Sequence, residues 1–241
     1  MALGALLFPS SLAAQGGASR ARVSLAVNGV YQATANPFRD AKSFRENAED
    51  GRFDTDYTVE GGPAFDVSGA VALWRRLAIG VGVSRFRRTT PVSFSASVPH
   101  PFFFNRPRTI EADVGGLARE EVAMHLQARG VFDVSTRVQV TLFGGPTWFR
   151  VRQPVVVDFE YAEVYPYDAI TFQRAETVSE TTPKAAFNVG GDVAYFFARR
   201  IGVGGSVRLA SASVDLPSAG GGTRRVTVGG VQAGAGMRVR F

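Results

Sequence analysis

LAIGVGVSRF, residues 77–86, decides the fold, because its two alternating rows differ so sharply in size. Leu77, Ile79, Val81 and Val83 form one row; Ala78, Gly80, Gly82 and Ser84 form the other. Such alternation is a strand signature, and a soluble barrel shows it too, with its large row buried and its small row wet. The second row here is too small and too uncharged for a typical solvated surface. It suits the crowded bore of an eight-stranded barrel, whose interior is just wide enough for side chains to fill. The large row then faces hydrocarbon, where every backbone donor and acceptor must be paired inside a closed sheet.

The same pattern recurs along the chain, and eight segments carry it. Residues 20–32 set Val23, Leu25, Val27 and Tyr31 against Ser24, Ala26 and Asn28; residues 57–73 set Phe65, Val67, Val71 and Leu73 against Ala64, Asp66, Ser68 and Ala70. Residues 77–86 are the third segment. The fourth, 118–132, opposes Val122, Met124, Leu126 and Ala128 to Glu121, His125, Gln127 and Arg129. In the fifth, Val138, Val140, Leu142 and Trp148 oppose Gln139, Thr141, Phe143 and Thr147, with Gly144, Gly145 and Pro146 expected to bulge the strand and switch its faces. The sixth, 186–196, alternates Phe187, Val189, Val193 and Tyr195 with Asn188, Gly190, Asp192 and Ala194; the seventh opposes Ile201, Val203, Val207 and Leu209 to Gly202, Gly204, Ser206 and Arg208. The eighth is GGVQAGAGMRVRF, 229–241, where a bulge at Gly229 and Gly230 is expected because Val226 and Val228 are out of step with Val231.

Connections alternate as regularly as strands do. Short turns fall at 74–76, 133–135 and 198–200, whereas the connections at 33–56, 87–117, 152–184 and 215–224 are long and carry most of the Asp, Glu and Pro. Short turns at one end and long loops at the other are what an outer-membrane barrel shows. WRRLAIGVGV at 74–83 and ARRIGVGGSV at 198–207 are two similar hairpins built on a double-arginine turn.

Composition narrows the function classes. The chain has 241 residues, 27 glycines and no cysteine, so neither a disulfide framework nor a thiolate metal site is available. The net charge of +6 comes from basic residues spread along the chain rather than massed in one block, which argues against nucleic acid as a partner. Lys42 and Lys184 are the only lysines; the other basic residues are arginines, whose planar fork suits carboxylate and phosphate. Residues 1–15, MALGALLFPSSLAAQ, read as the back half of a secretory signal peptide, leaving 16–241 as one barrel domain.

These features together resemble the small eight-stranded outer-membrane barrels, the group of the OmpA transmembrane domain, OmpX and OmpW. The resemblance is one of architecture over residues 18–241. It implies an all-β chain folded as an eight-stranded antiparallel up-and-down transmembrane β-barrel, monomeric, in the bacterial outer membrane. It also implies outer-membrane lipid as solvent, and a terminal strand whose Met237, Val239 and Phe241 signal to the barrel assembly machinery.

Parity turns Asp66, Glu121, His125, Arg129, Asp192, Arg208, Arg238 and Arg240 toward the bore, where unpaired charges are costly and ion pairing is expected. Lipid-acting barrel enzymes use a His with a Ser and an acid. Gln127 follows His125 where Ser would be expected, and two distant histidines give no metal ligand set, so neither catalysis nor a cofactor is implied. In the second long loop, Phe102, Phe103, Phe104, Arg106 and Arg108 are expected at the membrane rim, rings in lipid and guanidinium groups on head-group phosphate. Residues 155–172 of the third alternate well enough to extend a hairpin and offer Tyr161, Tyr165 and Tyr167 for adhesion or apolar capture. The function expected is a non-enzymatic envelope-structural or surface-interaction barrel with a filled lumen. The alternative is a narrow channel or an OmpW-like conduit for small hydrophobic molecules.

Overall fold

A computed structural model describes residues 23–33 and 37–241; residues 1–15, expected from sequence to be part of a signal peptide, lie outside them. The described residues form ten strands: β1 (Val23–Ala33), β2 (Phe38–Glu46), β3 (Glu49–Tyr57), β4 (Gly62–Trp74), β5 (Leu77–Val98), β6 (Arg108–Asp133), β7 (Val138–Val164), β8 (Ala169–Phe196), β9 (Ile201–Pro217) and β10 (Thr223–Arg240). Eight of them close a ring in which every neighbour is antiparallel. β1 pairs with both β4 and β10, the meander continues through β5 to β9, and the β5–β6 ladder completes the circuit. The last strand is therefore no edge: Leu25 sits opposite Val239 and Tyr31 opposite Ala233.

The large rows face outward. Leu77, Ile79, Val81, Val83, Val207 and Leu209 are all exposed, whereas Ala78, Gly80, Ser84 and Arg208 are buried. Aromatic residues ring this belt at both margins, with Tyr31, Phe65, Trp148 and Phe187 toward the loops and Trp74, Phe132, Phe197 and Phe241 toward the turns. Phe65 and Trp74 on β4 are about 30 Å apart along the strand at roughly 3.3 Å per residue. A strand tilt of roughly 40° reduces that to about 23 Å, which matches the apolar band of an outer-membrane barrel.

Beyond that belt the strands do not stop. β5 and β6 stay paired out to Val98 and Arg108, and β7 and β8 out to Val164 and Ala169. Along β5 the neighbour on one side changes from β4, paired as far as Phe86, to β3, paired from Val92 to Ser97. A bulge between Thr90 and Val92 marks the handover, opposite Gly116, whose φ of +81° suits glycine. Polarity inverts at the same level. Val92, Phe94, Ala96 and Val98 are now buried, and Ser93 and Ser95 point out. Three of the four long connections are thus largely strand, forming an ordinary soluble β-structure on top of an inverted one. Its core joins Phe53, Tyr57, Phe94, Ile110, Val155 and Val156.

This inversion corrects two sequence expectations. The β9–β10 register runs unbroken from Thr223 opposite Pro217 to Val239 opposite Ile201, so Gly229 and Gly230 make no bulge. Val226 and Val228 are inside and Val231 outside because the barrel's interior changes from apolar to polar, not because the chain slips. Likewise the β7–β8 register passes Gly144, Gly145 and Pro146 without a shift, and Phe143 and Thr147 share the inward face.

Polar clamps lock the upper structure. Asp40, buried on β2, accepts hydrogen bonds from the Ser218 hydroxyl at 2.6 Å and the Ala219 N–H at 2.7 Å, tying the first loop to the last. The Tyr57 hydroxyl accepts from the buried Val156 N–H at 2.7 Å, and its ring stacks on Phe38. Tyr57→Phe keeps the stack and orphans that N–H, so a loss of about 1–3 kcal/mol in equilibrium unfolding is expected. Burial pushes the Tyr57 phenol up to about 12. Its contribution to stability is therefore intact below the ordinary tyrosine value and is lost as pH rises through about 12. In Tyr57→Phe the wild-type fall in stability over that alkaline window should be smaller.

Candidate functional site

The bore at membrane level is filled by one hydrogen-bonded network. Glu121 on β6 is its upper anchor: it takes Arg119 Nε at 2.7 Å, Gln32 Nε2 at 3.1 Å and the Gly229 N–H at 3.0 Å. Gly229 presents that N–H from a φ of +77°, a conformation glycine adopts without strain. Gln32 accepts from Gln232 at 2.8 Å, and Gln232 accepts from Arg208 at 3.4 Å. Arg208 also donates to Asp66 at 2.7 Å, and Asp66 accepts from Asn28 at 3.1 Å. Asn28 accepts from Arg238 at 2.6 Å, and Arg238 pairs with Asp192 through Nε at 3.1 Å and through Nη2.

His125 forms the branch point. Arg208 can only donate, so His125 Nε2, 3.1 Å from its Nη1, carries the lone pair and Nδ1 donates to Thr147 Oγ1 at 2.8 Å. Asn188 joins Thr147 at 2.9 Å and Gln127 at 2.9 Å, and Gln127 accepts from both Nε and Nη2 of Arg129. Ser84 Oγ lies 3.1 Å from His125 Nε2, which superficially is a nucleophile and base. Yet Arg208 occupies that nitrogen's lone pair, Nδ1 meets a hydroxyl rather than a carboxylate, and the group is buried. No oriented base results.

Seven of the eight sequence-selected lumen residues sit in this network. Arg240 does not. It is still paired with Ser24 in the sheet but sits at the turn end of the barrel, below the network, donating to the Arg199 carbonyl at 2.9 Å and stacking 3.8 Å over the Phe196 ring. Arg119 was missed although it shares Glu121's parity two residues earlier. The neutral members Gln32, Gln232, Asn188 and Thr147 join through amide and hydroxyl groups, whose pairing leaves no charge signal in the sequence. Each carboxylate has its own arginine, Asp66 with Arg208, Glu121 with Arg119 and Asp192 with Arg238. Arg129 is the fourth arginine; amide oxygen and the Phe143 face hold it.

Toward the turns the network borders a cavity of about 50 Å³ lined by Asp66, Arg129, Asp192, Arg208 and Arg238. Toward the loops Phe149, Val151, Val214, Leu216, Val226 and Val228 pack into a buried apolar cluster. Among the described residues no group of three or more His, Asp or Glu side chains could hold a metal ion.

The rim residues expected in the second loop are elsewhere. Phe102, Phe103, Phe104 and Arg106 follow the end of β5, whose Val98 lies twelve residues past Phe86, about 40 Å further along the strand. They crown the upper structure, exposed, far from the hydrocarbon belt. Arg108 is buried there, paired with Glu163 at 2.6 Å, and Arg106 faces Asp168 at 3.5 Å. His100 Nδ1 accepts the Phe102 and Phe103 N–H groups and shapes the turn. Tyr161 is bonded to Glu46 at 2.5 Å, while Tyr165 is the most exposed of the three tyrosines.

The closed sheet, its lipid-matched outer belt and its polar bore define an eight-stranded antiparallel transmembrane β-barrel. No protein-family model matches the chain, and no curated protein matches it. Among solved structures, it is similar to Ail, the attachment invasion locus protein of Yersinia pestis, at 11% identity and a TM-score of 0.41 over 90% of this chain and 97% of that one. Neisserial surface protein A gives 10% identity and 0.45 over 91% and 97%; the outer membrane protease OmpT from Escherichia coli gives 8% and 0.45 over 91% and 96%.

Proposed function

We propose that the chain is a non-enzymatic outer-membrane barrel with a closed, side-chain-filled lumen, acting in envelope structure and surface contact. The observation that carries this reading is the continuity of the bore network from Arg119 to Arg238 beneath an apolar cap. A path for solute would have to break buried charge pairs and an oily layer in succession. Outer-membrane lipid is the solvent of the apolar belt. Met237 and Val239 lie on the outward row of β10 and exposed Phe241 follows its end, where the barrel assembly machinery would meet them. The closed ring leaves no barrel strand needing a second copy, which favours a monomer. Surface contact falls to the exposed crown of Phe102, Phe103, Phe104 and Tyr165 on its rigid β-pedestal.

Planar-bilayer recording tests the closed lumen. Wild type and Arg208→Ala are both expected to be silent, because truncating Arg208 enlarges the turn-side cavity and leaves the cap of Phe149, Val214 and Leu216 in place. Discrete current steps from the wild type would refute the reading in favour of a narrow channel. Steps from Arg208→Ala alone would mark the arginine as a gate.

A further inference from the structure

Two side-chain rows cross the outer wall at the level where polarity inverts. In the first, Arg85 and Arg150 flank Val122; in the second, Arg87 and Arg152 flank Glu120. Facing side chains in such rows are about 5 Å apart at Cβ. Directly below lies the lipid-facing row of Val83, Met124 and Trp148. Glu120 is the sole acid within the rows, 3.3 Å from Arg87 Nε and 3.9 Å from Arg85 Nη2. Arg150 and Arg152 are exposed and make no ion pair with any described residue. At the same level the wall of β1 and β4 presents Tyr31 and Phe65 and no charge. Four arginines against one glutamate leave a one-sided surplus of positive charge at the edge of the hydrocarbon.

We propose that this wall patch binds a lipid whose head group carries a phosphate monoester, in the leaflet on the loop side. The inference rests on the transmembrane reading and names a partner for one face of it. Phosphate on a lipid stands at this height by necessity. A monoester carries up to two negative charges and three acceptor oxygens, which several guanidinium forks can share. Arginine stems reaching up from the Val83 and Trp148 row keep their methylenes in apolar surroundings and their heads at the interface. Trp148 directly below the patch and Phe65 beside Arg85 fix the level of that interface.

The full chain is reconstituted into phosphatidylcholine nanodiscs doped with phosphatidic acid or, separately, with phosphatidylglycerol, and lipids retained on the barrel are counted by native mass spectrometry. Wild type should retain phosphatidic acid over phosphatidylcholine by at least about tenfold, and over phosphatidylglycerol as well. Arg87→Gln/Arg152→Gln should lose that preference, and Arg225→Gln, outside the two rows, should keep it. Glu120→Gln removes the resident counter-ion and should raise retention, an outcome that a merely structural glutamate does not give. Equal retention of phosphatidylglycerol would replace the monoester by plain charge and overturn the proposal. So would an unchanged double variant, or inorganic phosphate at millimolar concentration displacing the lipid completely. Failure of the wild type to enter nanodiscs at all would instead refute the transmembrane reading.

Discussion

Glu121→Ala is expected to cost about 3–5 kcal/mol, the penalty for stranding the partner of a buried charge. Glu121 and Arg119 are each about 2% exposed, and Arg119 holds the carboxylate through Nε at 2.7 Å and Nη2 at 2.6 Å. With the carboxylate gone, Arg119 keeps only the Thr227 carbonyl at 3.0 Å, and both the Gly229 N–H and Gln32 lose an acceptor. Removing both charges together, as Arg119→Met/Glu121→Leu, should cost far less, since an apolar pair of similar bulk continues the cap of Val226 and Val228 just above. Urea unfolding of the vesicle-inserted barrel gives both numbers. If the single variant loses under about 1 kcal/mol, water reaches Arg119 and the bore is not the sealed network described.

That network was legible in part because period two is unforgiving. Once Val81 faces lipid, Gly80 and Gly82 must face the bore, and through the ladder so must His125, opposite Gly82. The same rule located Asp66, Asp192, Arg208 and Arg238 without any contact being known. It could not tell how tall the strands stand. VSFSASV, residues 92–98, alternates as cleanly as LAIGVGV, but with serine on the outward row it reads as loop, since serine and a few aromatics are also what loops contain. Val226 and Val228 carried the same message and looked like a bulge, because a phase change in hydrophobicity has two causes, an extra residue or a change of solvent. Register distinguishes them and sequence does not. The misplaced rim follows from that one gap: with the strands taken to end near Arg87, Phe102 to Arg108 fall beside the membrane, and with them extended to Val98 the arginines at the interface are Arg85, Arg87, Arg150 and Arg152.

An arginine scan down the outward row of β5 turns the change of solvent into a measurement. Val81→Arg puts a guanidinium in the middle of the outer belt and is expected to destabilise the barrel by about 2–4 kcal/mol. Ser95→Arg, on the same strand and the same outward row, faces water in the upper structure and should stay within about 0.5 kcal/mol of wild type. Between them, at Arg85 and Arg87, nature has already placed the charge. The inward row should respond in the opposite sense. Phe94→Ser hollows the upper core where Phe53, Phe159 and Phe172 surround that ring, whereas Ser84 lower on the row is already polar, 3.1 Å from His125 Nε2. A conventional soluble barrel predicts one uniform outward response along all of β5, with Val81→Arg as harmless as Ser95→Arg. Equal free energies of unfolding for those two variants, measured in the same vesicles, would therefore remove the membrane from the outer wall and return the large aliphatic row to an unexplained surface.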